Sequence, residues 1–511
     1  MRSRAAVAAP SPAAVAAATD IVLAGGNAVD AAIAATVVAM VTEPGVVSPL
    51  GGAFVAVSAP QQAPVVVDGN VEMPGRGAAP ERFGAGMREV TTEYGGGLTM
   101  HVGHGSVATP GAFAALGRAH REFGRAPWAE VLAPAVDVCR QGYRLGSASG
   151  SYLALTGGSV FSWDAQTRAA LSRDDGSPVR VGDVLTSPDL AATIELLGRQ
   201  GADCLYTGEL AGLLVRDMDE RGGLVTAEDL RSYRARVRPG LQVELGGWAL
   251  STNPPPAIGG AVLAAMLRLV ADLPDRHGQG LAAQVEVQRA VLGYRHAHLD
   301  RAPDLERAGR ELLVAVAELG AAGLSSSAST AHVSAVDSDG LACAVTASSG
   351  YGSGATVPGT GMLLNNALGE PELNRRGLHA LAPGTRLASN MAPTTARSVD
   401  GAVLAVGTPG ADRITTALLQ VLQAFCLDGA TLQEAIDAPR LHVRVQPGAV
   451  VVEHEADLCG AAEAASGLGL AAREHPPRHM YFGGVGAALL GRDGDLQAAA
   501  DPRRASSTGV C

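Results

Sequence analysis

A run of small residues, Ser325-Ser326-Ser327-Ala328-Ser329, leads directly into two strand-like runs, His332 to Asp337 and Leu341 to Ala347. The small-residue run has little to bury and reads as an exposed segment. Ser338-Asp339-Gly340 joins the two runs that follow, and turn residues in that place predict a β-hairpin. Thr330 therefore stands where an unpatterned segment enters a sheet. Two readings are open on local pattern: a linker meeting an edge strand, or a self-cleavage point that frees a threonine as a new N-terminus.

Composition narrows the chemistry before it identifies any. The 511 residues contain 39 Lys and Arg together, and every one of them is arginine. A Walker-type phosphate loop, a kinase ATP site, a Schiff-base lysine and a Ser-Lys acyl-transfer pair each require a side-chain amine. Guanidinium stays protonated and does not replace it. The only amines left to such a chain are termini. A net charge of -11 excludes a broad phosphate-tracking face, and Arg231, Arg234, Arg236 and Arg238 read as a solvated element edge. The six cysteines are scattered without a C-x-x-C pair, as expected of thiols in the cytoplasm, and no signal peptide is visible. The apolar run Ala28 to Val41 carries Asp30 and is too short to span a bilayer.

Ser11-Pro12 predicts a helix start, with the helix ending at Gly25-Gly26. Asn27 caps a second Ala- and Val-rich helix that stops at Pro44. Residues 45 to 68 read as strands around a Gly51-Gly52 turn, and Pro110 to Arg140 as helical. The stretch from 185 to 320 reads as helical segments alternating with loops. His296 with His298, His101 with His104, and His475 with His479 have loose ligand-like spacings, but no cysteine or carboxylate set completes them, so no metal and no cofactor is expected.

A series of ordered motifs changes the balance at Thr330. It runs through Gly25-Gly26-Asn27-Ala28-Val29-Asp30-Ala31-Ala32, Ala108-Thr109-Pro110-Gly111 and Gly222-Gly223-Leu224-Val225-Thr226. It continues in Thr330-Ala331-His332, Pro358-Gly359-Thr360-Gly361, Leu364-Asn365-Asn366, Met391-Ala392-Pro393-Thr394, Gly407-Thr408-Pro409-Gly410 and Asp501-Pro502-Arg503. These segments resemble the gamma-glutamyltranspeptidase family, whose members are N-terminal-nucleophile hydrolases that cut themselves before a threonine. The resemblance implies a four-layer αββα sandwich. It also implies cleavage before Thr330 into a large fragment, residues 1–329, and a small one, residues 330–511, that stay intertwined as subunits.

An N-terminal threonine carries its own base, because an α-amine titrates near about 7.7–8.0. By resemblance Thr330 is the nucleophile and Ser348 takes the place of a second hydroxyl that hydrogen-bonds it. Gly410 and Ala411 belong to the loop whose backbone N–H groups face the tetrahedral oxyanion. The substrate-reading positions depart from the family. Asn70 stands where an Asp-x-Arg-Glu segment has its carboxylate-binding arginine, and a neutral amide does not reproduce that bidentate contact. Ala367 replaces a glutamine, Glu370 replaces an aspartate that meets an ammonium, and Ser389-Asn390 replaces a serine pair. Arg76 reads as a surface residue.

These departures argue against ordinary glutathione turnover. The expected activity is hydrolysis of an amide of a gamma-glutamyl-like or other small polar acyl group through an acyl-enzyme, in a metabolic or biosynthetic pathway. A variant is C–C cleavage that removes an oxalyl unit, as divergent family members do in forming 4-alkyl-proline antibiotic precursors. A non-catalytic ligand-binding scaffold is the alternative from another class. The expected partners are a small-molecule substrate and the two fragments themselves, with no nucleic acid and no membrane.

Overall fold

The computed structural model describes residues 4–93, 97–271, 280–319, 330–446 and 448–511. The Ser325–Ser329 run and its junction with Thr330 lie outside the described residues.

Local chemistry sets the first helices as expected. Ser11 Oγ accepts the Ala14 N–H and Pro12 opens the helix Pro12–Leu23. Asn27 and Asp30 form a reciprocal capping box on Ala28–Thr42, a helix buried along its whole length. A helix made of Ala and Val on every side is an interior element. Asp30 also accepts backbone N–H groups from Arg125 and Ala126, which ties the next helical hairpin to it.

Two antiparallel sheets form the centre. The first runs Ser507–Val510, Ala5–Ala9, Ala331–Asp337, Ala342–Ser348, Gly52–Ser58, Val65–Gly69 and Arg236–Pro239 in spatial order. The second runs Leu496–Ala500, Gly486–Leu490, Val403–Gly407, Thr394–Ser398, Trp248–Thr252 and Leu241–Leu245. Because side chains alternate along a strand, Val333, Ala335, Cys343 and Val345 pack beneath the N-terminal helices. Val336, Ala342 and Ala344 meet Val403, Ala405 and Ala488 of the second sheet. The other face of that sheet, with Leu250, Leu404 and Val406, packs against helices Ile258–Ala271 and Arg413–Cys426. The result is a four-layer αββα sandwich. Alanine dominates the contact between the sheets, so the layers approach closely without large side chains.

Both sides of Thr330 supply strands to each sheet, and in the first sheet the two sets interleave. A cut before Thr330 therefore divides the chain without dividing the core.

The hairpin after Thr330 forms as expected, with Asp337 Oδ1 accepting the Asp339 and Leu341 N–H groups across its turn. Three expectations need correction. Gly51-Gly52 is the entry to the strand Gly52–Ser58, and residues 45–51 are not a strand. Pro110 to Arg140 is two helices, Ala112–Phe123 and Trp128–Gln141, broken at Gly124 and Pro127. The stretch from 185 to 320 contains three strands, Arg236–Pro239, Leu241–Leu245 and Trp248–Thr252, which supply an edge of each sheet. Leu241-Gln242-Val243-Glu244-Leu245 alternates apolar and polar residues, a strand signal that the helix-and-loop reading passed over. All six cysteines are free thiols. Among the described residues no helix is long and apolar enough to cross a membrane.

Candidate active site

Thr330 is buried at the head of the strand Ala331–Asp337. Ala331 pairs with Ala347, so antiparallel register sets Ser348 opposite Thr330. One pleat along, His332 lies between the sheets, its Nδ1 2.8 Å from Thr346 Oγ1 and its Nε2 2.8 Å from Ser334 Oγ. Ser334 donates in turn to the Gly486 carbonyl of the second sheet at 3.0 Å. Burial pushes the imidazole down to about 3, so it is neutral and acts as a spacer with two hydrogen bonds. The second sheet answers with Gly407, where a Cβ would come within 2.2 Å of His332 Cε1. That contact brings the Gly407–Ala411 turn against the Thr330 strand.

A cleft joins Thr330 and Ser348 with Asn70, Glu370, Ser389 and Asn390. They enter from five stretches of chain, Ser389 and Asn390 together. Asn70 follows the strand Val65–Gly69, and its Nδ2 donates to the Leu387 carbonyl at 2.8 Å. The Ser389 carbonyl accepts the Ile258 and Gly259 N–H groups at 3.0 and 2.9 Å, which fixes it to the start of helix Ile258–Ala271. Ser348 Oγ accepts the Gly350 N–H at 3.0 Å. Gly350 has φ +66°, and a Cβ there would meet Glu370 Oε1 at 2.5 Å and Asn366 Oδ1 at 2.4 Å. Glycine at this position is what leaves room for Glu370.

Glu370 is 2% exposed, and its Oε2 has no hydrogen-bond partner among the described residues. Desolvation, reinforced by the charge of Glu372, holds its pKa well above the usual carboxylate range. The cleft thus contains a carboxyl group that gains from a cationic or hydrogen-bonding ligand.

No guanidinium occupies the place of Asn70. Arg386 is close in the structure, but it pairs with Glu72 at 2.8 Å and Asp68 at 3.3 Å and lies 4.6 Å over the Tyr233 ring. Arg76 pairs with Glu72 and Asp229 at 3.5 and 3.4 Å. It is a partly buried structural residue, more engaged than the sequence suggested.

The turn before helix Arg413–Cys426 is held by Thr408, whose Oγ1 donates to the Pro409 carbonyl and accepts the Gly484 N–H. Gly410 and Ala411 both have positive φ, +133° and +69°. Their N–H groups have no acceptor among the described residues, an arrangement suited to an anion. Neither lines the cleft itself. Pro409 is the turn residue that borders Thr330, in a second chamber on the far side of the nucleophile.

That chamber holds residues the sequence reading missed: Glu43, Tyr152, Arg504 and His332. Glu43 is fully buried, and desolvation pushes its pKa up to about 8 against the opposing pull of Arg504. A lone glutamate before Pro44 carries no sequence mark of such burial. The paired histidines have simple partners: His475 meets Glu453 at 2.8 Å and His104 meets Asp217 at 3.0 Å. The sequence reading gave them no carboxylate, because these partners are distant in the chain.

The gamma-glutamyltranspeptidase family model matches residues 14–313 and 314–511. The Acylase ACY 1 proenzyme of Pseudomonas sp. (strain SE83) is 30% identical over 526 aligned positions, covering 98% of this chain and 92% of that protein. The glutathione hydrolase proenzyme of Escherichia coli (strain K12) is 29% identical, covering 95% of this chain and 88% of that one. The crystal structure of cephalosporin acylase from Bacillus halodurans superposes with a TM-score of 0.78 at 22% identity, over 99% of this chain and 96% of that chain, and shares the fold. Sequence, fold and the convergence on Thr330 agree: the chain belongs to the gamma-glutamyltranspeptidase family and is an enzyme of its hydrolase and acyltransferase class.

Proposed function

We propose that the chain is an autoprocessed N-terminal threonine amidohydrolase acting on a small polar acyl group other than that of glutathione. The observation that carries this reading is the single cleft in which Thr330 meets Ser348, Asn70, Glu370, Ser389 and Asn390.

In the uncut chain, the Thr330 hydroxyl attacks the Ser329 carbonyl. The new C–O bond replaces the C–N bond, and the Thr330 nitrogen takes up the proton. Water then opens the ester, leaving a Ser329 carboxylate and a free Thr330 amine. In turnover that amine accepts the Thr330 hydroxyl proton as the oxygen attacks the substrate amide. The Gly410 and Ala411 N–H groups stabilise the oxyanion, and Ser348 positions the nucleophile. The departing amine leaves with the proton, and water or an acceptor amine resolves the acyl-enzyme.

Asn70 is the argument against a γ-glutamyl acyl group. Its amide nitrogen is committed to the Leu387 carbonyl, and the nearby Arg386 is committed to two carboxylates. A substrate α-carboxylate would find no free guanidinium in the lining of the cleft.

Denaturing mass spectrometry of the purified wild type tests the reading. Fragments of 329 and 182 residues support it, and they must vanish in Thr330→Ala. A wild-type chain that stays whole refutes self-cleavage and favours the scaffold alternative. Brisk hydrolysis of a γ-glutamyl anilide refutes the argument from Asn70.

Oxalyl removal by C–C cleavage is a second reading, favoured by Glu370. Desolvation holds this buried carboxyl well above the usual carboxylate range, and in its protonated form it donates to a departing enolate. Release of oxalate from an oxalyl-bearing carbon acid, without anilide hydrolysis, distinguishes it.

A further inference from the structure

A cavity beside the cleft has no role in the chemistry above. Leu373 and Ala388 border both, so the two share a wall. The cavity lining carries five arginines against three carboxylates. Three of those arginines are spoken for. Arg386 pairs with Asp68 and Glu72, Arg238 pairs with Asp68 at 2.9 Å, and Arg375 pairs with Asp300 at 3.3 Å. Arg236 and Arg376 make no ion pair among the described residues, and both are exposed. Asp68 is shared between Arg238 and Arg386, and Arg238 Nη2 is buried without an acceptor among the described residues. Arg238 also reaches Glu306 at 3.9 Å, which leaves Arg236 and Arg376 as the two lining arginines without an ion pair among the described residues.

Two features make this more than a charged surface. The free cations come from separate elements, the edge strand Arg236–Pro239 and the 370–387 connection, and converge on one concavity. The same connection carries Glu370 and Leu373 into the cleft at its other end. A ligand held at Thr330 and longer than the cleft has this cavity as a neighbour.

We propose that this cavity is an anion subsite for the substrate's outer end, recognising a carboxylate that Arg236 and Arg376 contact beyond the scissile bond. The proposal rests on Thr330 being the reacting centre. It implies a substrate with a carboxylate remote from the bond cut, whose recognition does not depend on a cation at position 70.

Binding is measured without turnover, by calorimetry on full-length Thr330→Ala. The probes are the 4-nitroanilide and the 3-carboxy-4-nitroanilide of 4-aminobutyrate, which offer Glu370 an ammonium, lack an α-carboxylate and differ by one carboxylate on the distal ring. The carboxylated probe is expected to bind about fivefold tighter at low salt. The preference shrinks as salt rises and disappears in Arg236→Gln/Arg376→Gln on the same background, with the affinity for the probe lacking the carboxylate unchanged. Both side chains are exposed, and an unaltered melting temperature verifies the fold of the double variant. Equal affinities, no measurable binding of either probe, or a preference that survives the double substitution overturns the proposal. Self-cleavage of the wild type is read separately by mass, so failure of the subsite and failure of the nucleophile assignment are distinguishable.

Discussion

Glu43 offers a quantitative test of the chamber behind Thr330. Its carboxyl is fully buried, accepts the Ser149 N–H and faces Arg504, and burial still pushes its pKa up to about 8 from the 4.5 of a free glutamate. Between those two values the folded chain keeps a proton that the unfolded chain has lost. Stability from this group is therefore complete below the unfolded pKa and is lost as pH rises from 4.5 toward 8. At 1.36 kcal/mol per unit, the loss is roughly 5 kcal/mol as an order of magnitude. For a chain of this size the unfolding entropy is about 1 kcal/mol/K, so the shift in Tm is about 4 °C. Glu43→Gln keeps the shape and the acceptor for Ser149 but removes the titration. Its Tm relative to wild type is expected to climb by about 4 °C between pH 5 and pH 9, measured by differential scanning calorimetry at one scan rate. Any constant packing cost of the amide offsets the curve without changing its slope. The other groups bordering the site do not mimic the effect: His332 stays neutral throughout, and Tyr143 has its pKa raised above the phenol range. Parallel Tm curves for the two proteins would show that Glu43 is ionised in the fold and would refute the account of the chamber as a desolvated site.

Four further outcomes follow from the geometry. Thr330→Ala is expected to remain a single 511-residue chain on denaturing electrophoresis and to lack hydrolase activity. Gly350→Ala places a methyl where Glu370 Oε1 and Asn366 Oδ1 now stand, at a left-handed backbone angle, so kcat/KM is expected to fall at least ~10-fold with a stability cost of about 1–2 kcal/mol in urea unfolding. Gly407→Ala drives a Cβ into the His332 ring and is expected to lower stability by about 1–3 kcal/mol and slow self-cleavage, both read on the same preparation. Arg386→Leu leaves Asp68 and Glu72 short of their buried cation, and a loss of about 3–5 kcal/mol is expected, with the Tm deficit narrowing at acid pH as the carboxylates protonate.

The parts of this protein legible in the sequence are those fixed by near neighbours. Ser11 and Asn27 mark helix starts through hydrogen bonds two or three residues long, and both form as expected. The hairpin after Thr330 is marked by its turn, and its register alone sets Ser348 across from the nucleophile. The strands between 236 and 252 were missed although one of them carries the signal: Leu241 to Leu245 alternates cleanly, with Gln242 and Glu244 exposed and Val243 and Leu245 buried. Glu43 and Arg504 were missed for a different reason. Burial of a charge is a property of what the fold brings over it, and these two are far apart in the chain.

Position 70 shows how the two kinds of information combine. The sequence gives a loss there, an amide in place of a guanidinium, and leaves open whether the substrate site is emptied or rebuilt. The carboxylates Asp68 and Glu72 remain on either side of it, both buried. Two buried carboxylates with no cation would cost more than the segment can sustain. Arg386 meets that need from the far side of the cleft wall, paired with both and stacked on Tyr233. A cation has been restored to this region, but in a place where its donors face protein carboxylates and the carbonyls of Asp68 and Arg234. The structural role of an arginine is thus served while its substrate-facing role is not. The change at Asn70 therefore leaves the framework around it intact, with Asp68 and Glu72 still paired to a buried cation and Asn70 itself bonded to the Leu387 carbonyl.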